Sequence, residues 1–350
     1  MLNTTRAFCS IRILILCSIG VLIFQVFILH QIFFSKMNNP NGEKQRTGID
    51  GRAGHFERVN IEPNKNNRQN KQVVVQPHGE ILEERKRQVE KICDTLTKNA
   101  LLNSSLDPKE YYGHIYVDPM KKILYCYTPK VASTHWREIL TANFYNMPIE
   151  ELTVNITGGD WKRWYKGHIL TPLGKIAPNK RQYIIDTYYK FMFTRHPLDR
   201  FYSTWKNKFM ETNDSYYREH FGSVILKKYR ENATIKDLYE GEGVRFEEFI
   251  KFITFEGIRF RDEHWQSFFE LCKPCQIHYD IIGNFETLSE DTNYVIEKTN
   301  LSKYQFPQVI SKSTYNRQTL YENIYKPDLI QLYKRFRLDF DMFKYTMQLS

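Results

Sequence analysis

The sequence predicts an α/β fold, because it contains two segments in which a buried strand, a short loop and a helix follow one another. In the first segment, the apolar and aromatic run Ile123–Tyr127 is typical of a buried strand. Pro129 ends this strand, since proline has no N–H to donate to a sheet, and apolar residues recur with helical spacing from Trp136. In the second segment, a buried-strand pattern spans 189–194 and a helix is expected from Pro197.

The loops of both segments carry groups that bind anions. After the first strand, Lys130 supplies a charge, and Ser133 and Thr134 supply hydroxyl donors beside the free N–H groups of a helix start. An ordinary turn with a surface lysine has the same local pattern, and the sequence lacks the Gly-x-x-x-x-Gly-Lys-[Ser/Thr] run of a Walker loop. In the second segment, Arg195 at the strand end and Ser203 two helical turns later can bind one phosphate together. Two such sites suit a nucleotide that is charged at both its 5′ and 3′ ends.

The order of these and later motifs resembles that of a known family. The two segments are similar to the 5′-phosphosulfate loop and the 3′-phosphate motif of Golgi carbohydrate sulfotransferases, which use 3′-phosphoadenosine 5′-phosphosulfate (PAPS). The resemblance is to the branch that contains the chondroitin 4-O-sulfotransferases, and it covers residues 121–346. The later motifs that carry it are Val244–Phe249, Asp262–Gln266, Leu271–Asp280, Gly283–Leu288 and Leu338–Phe343.

This resemblance implies a fold and a set of PAPS-binding residues. The implied fold is a central parallel sheet with helices on both faces, similar to that of P-loop nucleotide-binding proteins, and no metal is expected. Two residues depart from the family pattern: His196 stands where an acidic residue usually follows the arginine, and Ser133 stands where a cysteine is common. The expected cofactor-binding residues are Pro129, Lys130, Val131, Ala132, Ser133, Thr134 and His135 in the first loop, and Arg195, His196, Pro197, Leu198, Asp199, Arg200, Phe201, Tyr202 and Ser203 in the second segment.

Sulfo transfer requires an aligned acceptor hydroxyl, a base for its proton, and neutralisation of the charge that develops on the leaving phosphate. Lys130 suits the last task. His168 is the first candidate for the base, because it lies between the two PAPS-binding segments, where related sulfotransferases keep a base. His264 is the second candidate, although it could instead pack beside Trp265. His135 lies in the loop, where related enzymes usually carry asparagine, and is therefore expected to contact PAPS rather than act as the base.

An apolar run at 13–34 is long enough to span a bilayer and predicts a signal-anchor helix. Arg6 and Arg12 precede it, so the positive-inside rule leaves 1–12 in the cytosol and the bulk of the chain in the lumen. A cleaved signal peptide is the alternative, but the run exceeds the usual signal core and no small-x-small site follows it closely. The expected protein is therefore a single-pass type II membrane protein, and the resemblance implies that the membrane is that of the Golgi.

Beyond the anchor, the polar composition of 35–80 predicts a disordered luminal stem, and the luminal sulfotransferase domain is expected at 81–350. This domain begins with an amphipathic helix predicted at 81–102. Its four cysteines allow three disulfide pairings, which the sequence leaves open. The Cys-x-x-Cys spacing of the last two is expected to be structural rather than redox-active or zinc-binding. The cysteines are Cys93, Cys126, Cys272 and Cys275, and luminal glycosylation sequons begin at Asn103, Asn155, Asn213, Asn232 and Asn300.

The net charge of +10 suits an anionic cofactor and an anionic glycan. Nucleic acid is the other polyanion, but the anchor and the sequons do not favour it as a partner. The resemblance implies the reaction: transfer of a sulfo group from PAPS to a glycan hydroxyl, at position 4 of N-acetylgalactosamine in chondroitin or dermatan. The alternative within this class is another acceptor, such as a glucuronyl 3-hydroxyl or a terminal N-acetylgalactosamine. Outside it, the alternatives are a non-catalytic glycosaminoglycan-binding membrane protein and an ATP-dependent kinase, which the missing Walker loop disfavours.

Overall fold

A computed structural model describes residues 77–98, 111–156, 170–211, 215–307 and 322–347. Within these ranges the protein has one sheet of five strands in the order β3-β1-β2-β4-β5. β2, β4 and β5 run parallel, whereas β1 runs antiparallel to both of its neighbours. The strands are β1 (Ile115–Asp118), β2 (Ile123–Cys126), β3 (Thr171–Pro172), β4 (Tyr189–Thr194) and β5 (Ile281–Asn284).

The prediction of an all-parallel sheet is wrong at β1. A tight turn at 119–122 joins β1 to β2, and in it Asp118 Oδ1 accepts hydrogen bonds from the N–H groups of Met120 and Lys121 at 2.9 and 3.1 Å. A turn this short joins only antiparallel strands, because a parallel connection needs a crossover of about a dozen residues or more. The mixed character of the sheet therefore follows from this local turn.

Helices flank the sheet or pack beside it. Two short π-helical segments, Lys206–Met210 and Arg218–Gly222, follow α5 and α6. The α-helices of the described ranges are α1 (His78–Lys98), α2 (Ser133–Tyr145), α3 (Ile149–Ile156), α4 (Pro178–Thr187), α5 (Pro197–Trp205), α6 (Ser215–Tyr217), α7 (Ser223–Tyr229), α8 (Ile235–Glu240), α9 (Phe246–Phe255), α10 (Phe268–Cys272), α11 (Pro274–Ile277), α12 (Leu288–Lys298), α13 (Lys326–Arg335) and α14 (Arg337–Met342).

The three parallel strands end at one edge of the sheet. Cys126, the last residue of β2, pairs with Met192 of β4, which in turn pairs with Ile282 of β5. The segments that follow these strands therefore start side by side, at the edge where α/β proteins bind ligands. Close packing under this edge requires Gly283, because a Cβ there would lie 2.4 Å from the Phe193 ring.

Two hydrophobic cores support this edge. The sheet core surrounds β2 and β4, with Tyr125 and Trp136 fully buried near its centre. The helical core surrounds α9 and consists largely of aromatic rings, among them Phe249 and Trp265. Because His264 directly precedes Trp265, this candidate base is attached to the helical core.

Two disulfides settle the pairing that the sequence leaves open. Cys93 of α1 bonds to Cys275 of α11, and Cys126 at the end of β2 bonds to Cys272 at the end of α10. The two cysteines of the Cys-x-x-Cys spacing thus have different partners, which agrees with a structural role. Both disulfides lie in the sheet core.

The helix predicted at 81–102 begins at His78 and is described as far as Lys98. Arg85 donates to Asp291 Oδ2 at 2.7 Å, and this ion pair joins α1 to α12. The predicted anchor and nearly all of the predicted stem lie outside the described residues. In the part of the chain that is described, no helix has both the length and the apolar character needed to cross a bilayer.

Candidate active site

The loop between β2 and α2 has a backbone that favours anion binding. Lys130 and Ala132 have left-handed φ values of 72° and 62°, which are uncommon for residues with a side chain. Left-handed residues in a turn direct neighbouring N–H groups into a shared concavity. Helix α2 begins at Ser133 directly after this turn, and its N-terminus receives no side-chain cap from the described residues. The first N–H groups of the helix therefore lie at the loop, together with the positive end of the helix dipole.

Residues of the second segment fix this loop in position. Arg195 donates from Nη1 to the carbonyl of Lys130 at 3.2 Å, and Arg200 donates from Nε to the carbonyl of Pro129 at 3.3 Å. Both arginines are buried, with exposures of 7% and 1%. The two segments that the sequence predicts to bind anions are thus in direct contact.

The loop lies in a concentration of positive charge. Burial, together with the charges of Lys208 and Arg195, lowers the pKa of Lys130 to about 8, and the charge of Glu211 opposes this shift. Lys130 is therefore charged below about pH 8 and lies close to two other cations. An anion bound among these groups would relieve their mutual repulsion, which is the arrangement expected of a phosphosulfate site.

Arg195 follows β4 directly, at the edge where the loop also begins. Its guanidinium stacks over the ring of Phe285, 4.2 Å from the ring centroid, and Phe285 itself follows β5. Ser203 lies on α5 and is half-buried. The strand-end arginine and the helical serine predicted to bind the 3′-phosphate thus both lie on the segment that follows β4.

Other residues of the second segment have structural contacts. Leu198 and Phe201 belong to the helical core. The N–H of His196 donates to Glu286 Oε1 at 2.9 Å, and its ring Nε2 lies 3.0 Å from the carbonyl oxygen of Thr346. His196, which departs from the family pattern, thus joins the second segment to the C-terminal part of the chain.

Arg200 connects the loop to a third part of the site. Besides Pro129, its guanidinium donates to the carbonyls of Glu263 and Gln266, both at 2.6 Å. All three acceptors are backbone carbonyls, so this buried charge acts as a link between segments. The segment that contains His264 is therefore fixed beside the anion-binding loop.

His264 forms a hydrogen-bonded group with Asp262 and Tyr217. Its Nδ1 lies 2.7 Å from Asp262 Oδ1 and 3.0 Å from the Tyr217 hydroxyl, which donates to Asp262 Oδ2 at 3.2 Å. Because a carboxylate only accepts hydrogen bonds, Nδ1 carries the proton of the neutral ring and Nε2 is the basic nitrogen. A carboxylate orients a histidine in this way when the histidine acts as a general base.

The electrostatic surroundings keep this histidine neutral. Burial lowers the pKa of His264 below its ordinary value, the hydrogen bond that its Nδ1 donates to Asp262 opposes that effect, and the charges of Lys208 and Lys130 lower the pKa further. Both lysines therefore lie close enough to act on the ring. Lys208 also lies over the ring of Tyr217, with Nζ 4.2 Å from the centroid. At neutral pH the imidazole is thus able to accept a proton.

Sequence reasoning missed Asp262 and Tyr217 as parts of this site. Asp262 was recognisable, because a carboxylate two residues before His264 can accept the N–H of that histidine, as it does here at 2.9 Å. Tyr217 lies far from the motif along the chain, and no local pattern marks it. His168, the first candidate for the base, lies outside the described residues, so its role stays a prediction.

Metal chemistry is not expected from the sequence. Across the described ranges, no three His, Cys, Asp or Glu side chains are arranged to bind a metal ion. This finding covers those ranges alone, so the expectation stays a prediction. The cationic groups that surround Lys130 are the ones available here to stabilise charge on a leaving phosphate.

Together these features define a class of protein. A sheet edge with an anion-binding loop, a second cationic site and an oriented histidine is typical of an α/β enzyme that transfers a group from a nucleotide. A family model described as "Sulfotransferase family" matches residues 113–346. The chain belongs to the sulfotransferase family.

Curated relatives narrow the assignment within this family. The chain is 32% identical over 276 residues to carbohydrate sulfotransferase 11 of Mus musculus, which covers 74% of this chain and 75% of that protein. It is 31% identical over 274 residues to carbohydrate sulfotransferase 10 of Homo sapiens, and the alignment covers 73% of this chain and 74% of that protein. With carbohydrate sulfotransferase 9 of Homo sapiens the identity is 34% over 246 residues, covering 67% and 53%. No solved structure matches the chain. The protein is thus a member of the carbohydrate sulfotransferases, and sulfo transfer to a glycan is the activity of its class.

Proposed function

We propose that the sulfo donor is PAPS and that the acceptor is the 4-hydroxyl of N-acetylgalactosamine in chondroitin or dermatan. The observation that carries the donor assignment is the 3.2 Å hydrogen bond from Arg195 to the carbonyl of Lys130. It brings the two anion-binding segments together, so one nucleotide charged at its 5′ and 3′ ends can contact both. The acceptor assignment is supported by the motif order that resembles the chondroitin branch and by the net charge of +10.

In the proposed reaction the acceptor oxygen attacks sulfur, the bond from sulfur to the 5′-phosphate oxygen breaks, and the hydroxyl proton passes to a base. Adenosine 3′,5′-bisphosphate is the leaving group. Lys130 and the N–H groups of the loop stabilise the charge that develops on its 5′-phosphate. Arg195 and Ser203 bind its 3′-phosphate, which fixes the direction of the nucleotide across the sheet edge.

Two histidines are candidates for the base. His168 has the sequence position in which related sulfotransferases keep one, and His264 has the geometry of one, with Asp262 on its Nδ1 at 2.7 Å. Replacing a general base lowers the turnover number about 10²–10⁴-fold without weakening nucleotide binding. The variants His168→Asn and His264→Asn therefore separate the two candidates. The base is the histidine whose loss depresses kcat, removes the acidic limb of the pH–rate profile and leaves the melting temperature unchanged.

Incubation of the full-length protein with radiolabelled PAPS and a panel of glycans tests the function. The panel contains chondroitin, dermatan, a glycan ending in glucuronic acid and one ending in N-acetylgalactosamine. We expect label in chondroitin or dermatan, recovered after lyase digestion as a 4-sulfated disaccharide. Label confined to one of the two terminal-sugar glycans would replace the acceptor assignment. Binding of chondroitin without transfer to any glycan would identify a non-catalytic binding protein instead.

We also propose that the protein is a single-pass type II protein of the Golgi membrane with a luminal catalytic domain. The support is the apolar run at 13–34, the preceding arginines and the sequons beyond it. Protease added to intact microsomes should leave the chain beyond that run protected, and a glycosidase should increase its gel mobility. Digestion of the catalytic domain by protease outside intact microsomes would contradict this topology.

A further inference from the structure

A cluster of three side chains adjoins the anion-binding loop and has no role in the reaction described above. We call Tyr116, Tyr127 and Arg137 the Arg137 cluster. The Arg137 guanidinium lies over the Tyr127 ring, 4.8 Å from its centroid, and the Tyr116 ring meets the Tyr127 ring edge-on with 6.0 Å between centroids. All three residues are half-buried, so each keeps part of its surface exposed.

Hydrogen bonds attach the Arg137 cluster to the loop. The Tyr127 side chain is hydrogen-bonded to Ser133, the first residue of α2, and to Arg137 one helical turn later. The N–H of Tyr127 donates to the carbonyl of His114 at 2.8 Å. The Arg137 cluster thus lies beside the N–H groups proposed to bind the sulfo end of the donor.

Glu263 links the Arg137 cluster to the segment of the candidate base. Burial raises the pKa of Glu263 and the charge of Arg137 opposes this, so the two side chains are close to each other. Glu263 directly precedes His264. His114 Nδ1 lies 3.8 Å from Glu263 Oε2, but burial lowers the pKa of His114 to about 4, so its ring is neutral at neutral pH. The Arg137 cluster is therefore the cationic and aromatic surface between the loop and the His264 segment.

Resting on the acceptor proposed above, we propose that the Arg137 cluster binds the carboxylate of the uronate that neighbours the sulfated N-acetylgalactosamine. A guanidinium can donate two parallel hydrogen bonds to a carboxylate, and the Tyr127 ring packs beneath the guanidinium of Arg137. The tyrosine rings offer apolar faces to the C–H groups of a sugar, and their hydroxyls offer polar contacts. Glu263 reduces the positive charge of the cluster, which suits a singly charged carboxylate better than a doubly charged phosphate.

A comparison of two variants on two acceptors tests this assignment. Arg137→Gln removes the guanidinium, and Arg259→Gln removes the same charge from an exposed position outside the Arg137 cluster. The acceptors are chondroitin and carboxyl-reduced chondroitin, in which each uronate is converted to a neutral sugar. For Arg137→Gln we expect KM for chondroitin to rise about 10-fold or more, because a hydrogen bond between charged groups is lost. The Kd for adenosine 3′,5′-bisphosphate and the kcat should stay close to the wild-type values.

Carboxyl reduction should raise KM for the wild-type protein by a similar factor and should leave the Arg137→Gln variant unaffected. Arg137→Lys should retain part of the difference in KM between chondroitin and carboxyl-reduced chondroitin. Arg259→Gln should have the wild-type KM for both acceptors. A wild-type KM in Arg137→Gln, with normal transfer, would overturn the uronate site and leave the proposed function intact. The uronate site would also be overturned if carboxyl reduction of chondroitin still raised the KM of the Arg137→Gln variant. Failure of the wild-type protein to sulfate either acceptor would overturn both proposals.

Discussion

The sheet core and the helical core position their parts of the site by different means. The sheet core contains both disulfides and leads directly into the Lys130 loop. The residues that form the helical core include no cysteine, and aromatic packing holds it together. Beside it lie two π-helical segments, which are often found at functional sites. Lys208 lies within the first of these segments and Tyr217 directly precedes the second, and both act on His264.

This contrast suggests a division of tasks. The sulfo donor is the same whichever acceptor is used. Disulfides that fix the donor-binding Lys130 loop therefore do not restrict which acceptor the enzyme can use. The side that carries His264 depends on packing and ion pairs, such as the pair of Arg230 with the buried Glu248 at 2.8 Å. Leu198 and Phe201 of the donor-binding segment also belong to the helical core, so we expect this separation only for residues around His264, whose substitution should lower turnover without disturbing donor binding. Arg200 is the link between the two, since it contacts the loop and the His264 segment at once.

Among the changes that test this comparison, the largest loss of activity is expected on the sheet side, from Lys130→Ala. This change removes the charge that stabilises the leaving phosphate, and the loss of one such preorganised donor costs about 10²–10³-fold in kcat. Initial rates with labelled PAPS measure it. Lys236→Ala, which removes an exposed lysine that pairs with Glu240, is the control and should keep wild-type rates. A Lys130→Ala enzyme with a wild-type rate would contradict the leaving-group role.

The next effect tests the link itself. Arg200→Met leaves the carbonyls of Pro129, Glu263 and Gln266 without their donor, and we expect the free energy of unfolding to fall by about 3 kcal/mol or more. Urea titration measures this, with Arg259→Met as the exposed control. Adenosine 3′,5′-bisphosphate should also bind more weakly. A variant with unchanged stability and affinity would show that the two cores do not depend on Arg200.

The two disulfides should have similar effects on stability and different effects on the donor site. Removing either one by paired Cys→Ala changes should lower the free energy of unfolding by about 2–4 kcal/mol. Loss of the Cys126–Cys272 bond should in addition weaken adenosine 3′,5′-bisphosphate binding, because Thr128 Oγ1, at the start of the loop, lies 3.4 Å from Cys272 Sγ. Loss of Cys93–Cys275 should leave that affinity unchanged. Titration calorimetry measures this affinity in both paired variants. An equal loss of affinity in the two would contradict a local role for the Cys126–Cys272 bond.

The smallest expected effect is a pH dependence of the free energy of unfolding that arises from His114. Its pKa is about 4 in the folded protein and 6.5 ordinarily, so between these values the unfolded chain binds the extra proton. Stability is therefore lost as pH falls from 6.5 towards 4. Glu263, whose raised pKa acts in the opposite sense, offsets part of this, and we expect a net contribution of about 1–2 kcal/mol. His114→Gln should flatten the slope of unfolding free energy against pH, and an unchanged slope would exclude this origin.

Local sequence patterns predicted the parts of the fold that depend on local forces. The apolar runs at 123–127 and 189–194 are strands in the structure, and the residues that follow them meet at one edge. Strand β1 was missed because its role depends on the turn to β2, not on its own four residues. The disulfide pairing and the contact of Tyr217 with His264 join distant parts of the chain, and no periodicity records such contacts. Helix α2 begins at Ser133, before the first apolar residue of its pattern at Trp136.

The two disulfides are nested, since Cys126–Cys272 closes inside the segment bounded by Cys93–Cys275. Their partners are separated by 146 and 182 residues, and neither bond can form before the short Cys272–Cys275 stretch has been synthesised. The thiols of Cys93 and Cys126 therefore stay without their native partners through most of translation. Their partners, Cys275 and Cys272, are synthesised almost at the same time. An exchange of partners would join the wrong elements while closing loops of nearly the same length, so loop entropy favours neither arrangement. The native pairing is thus selected by packing of the sheet core, and its yield in cells should depend on an oxidoreductase that reshuffles disulfides.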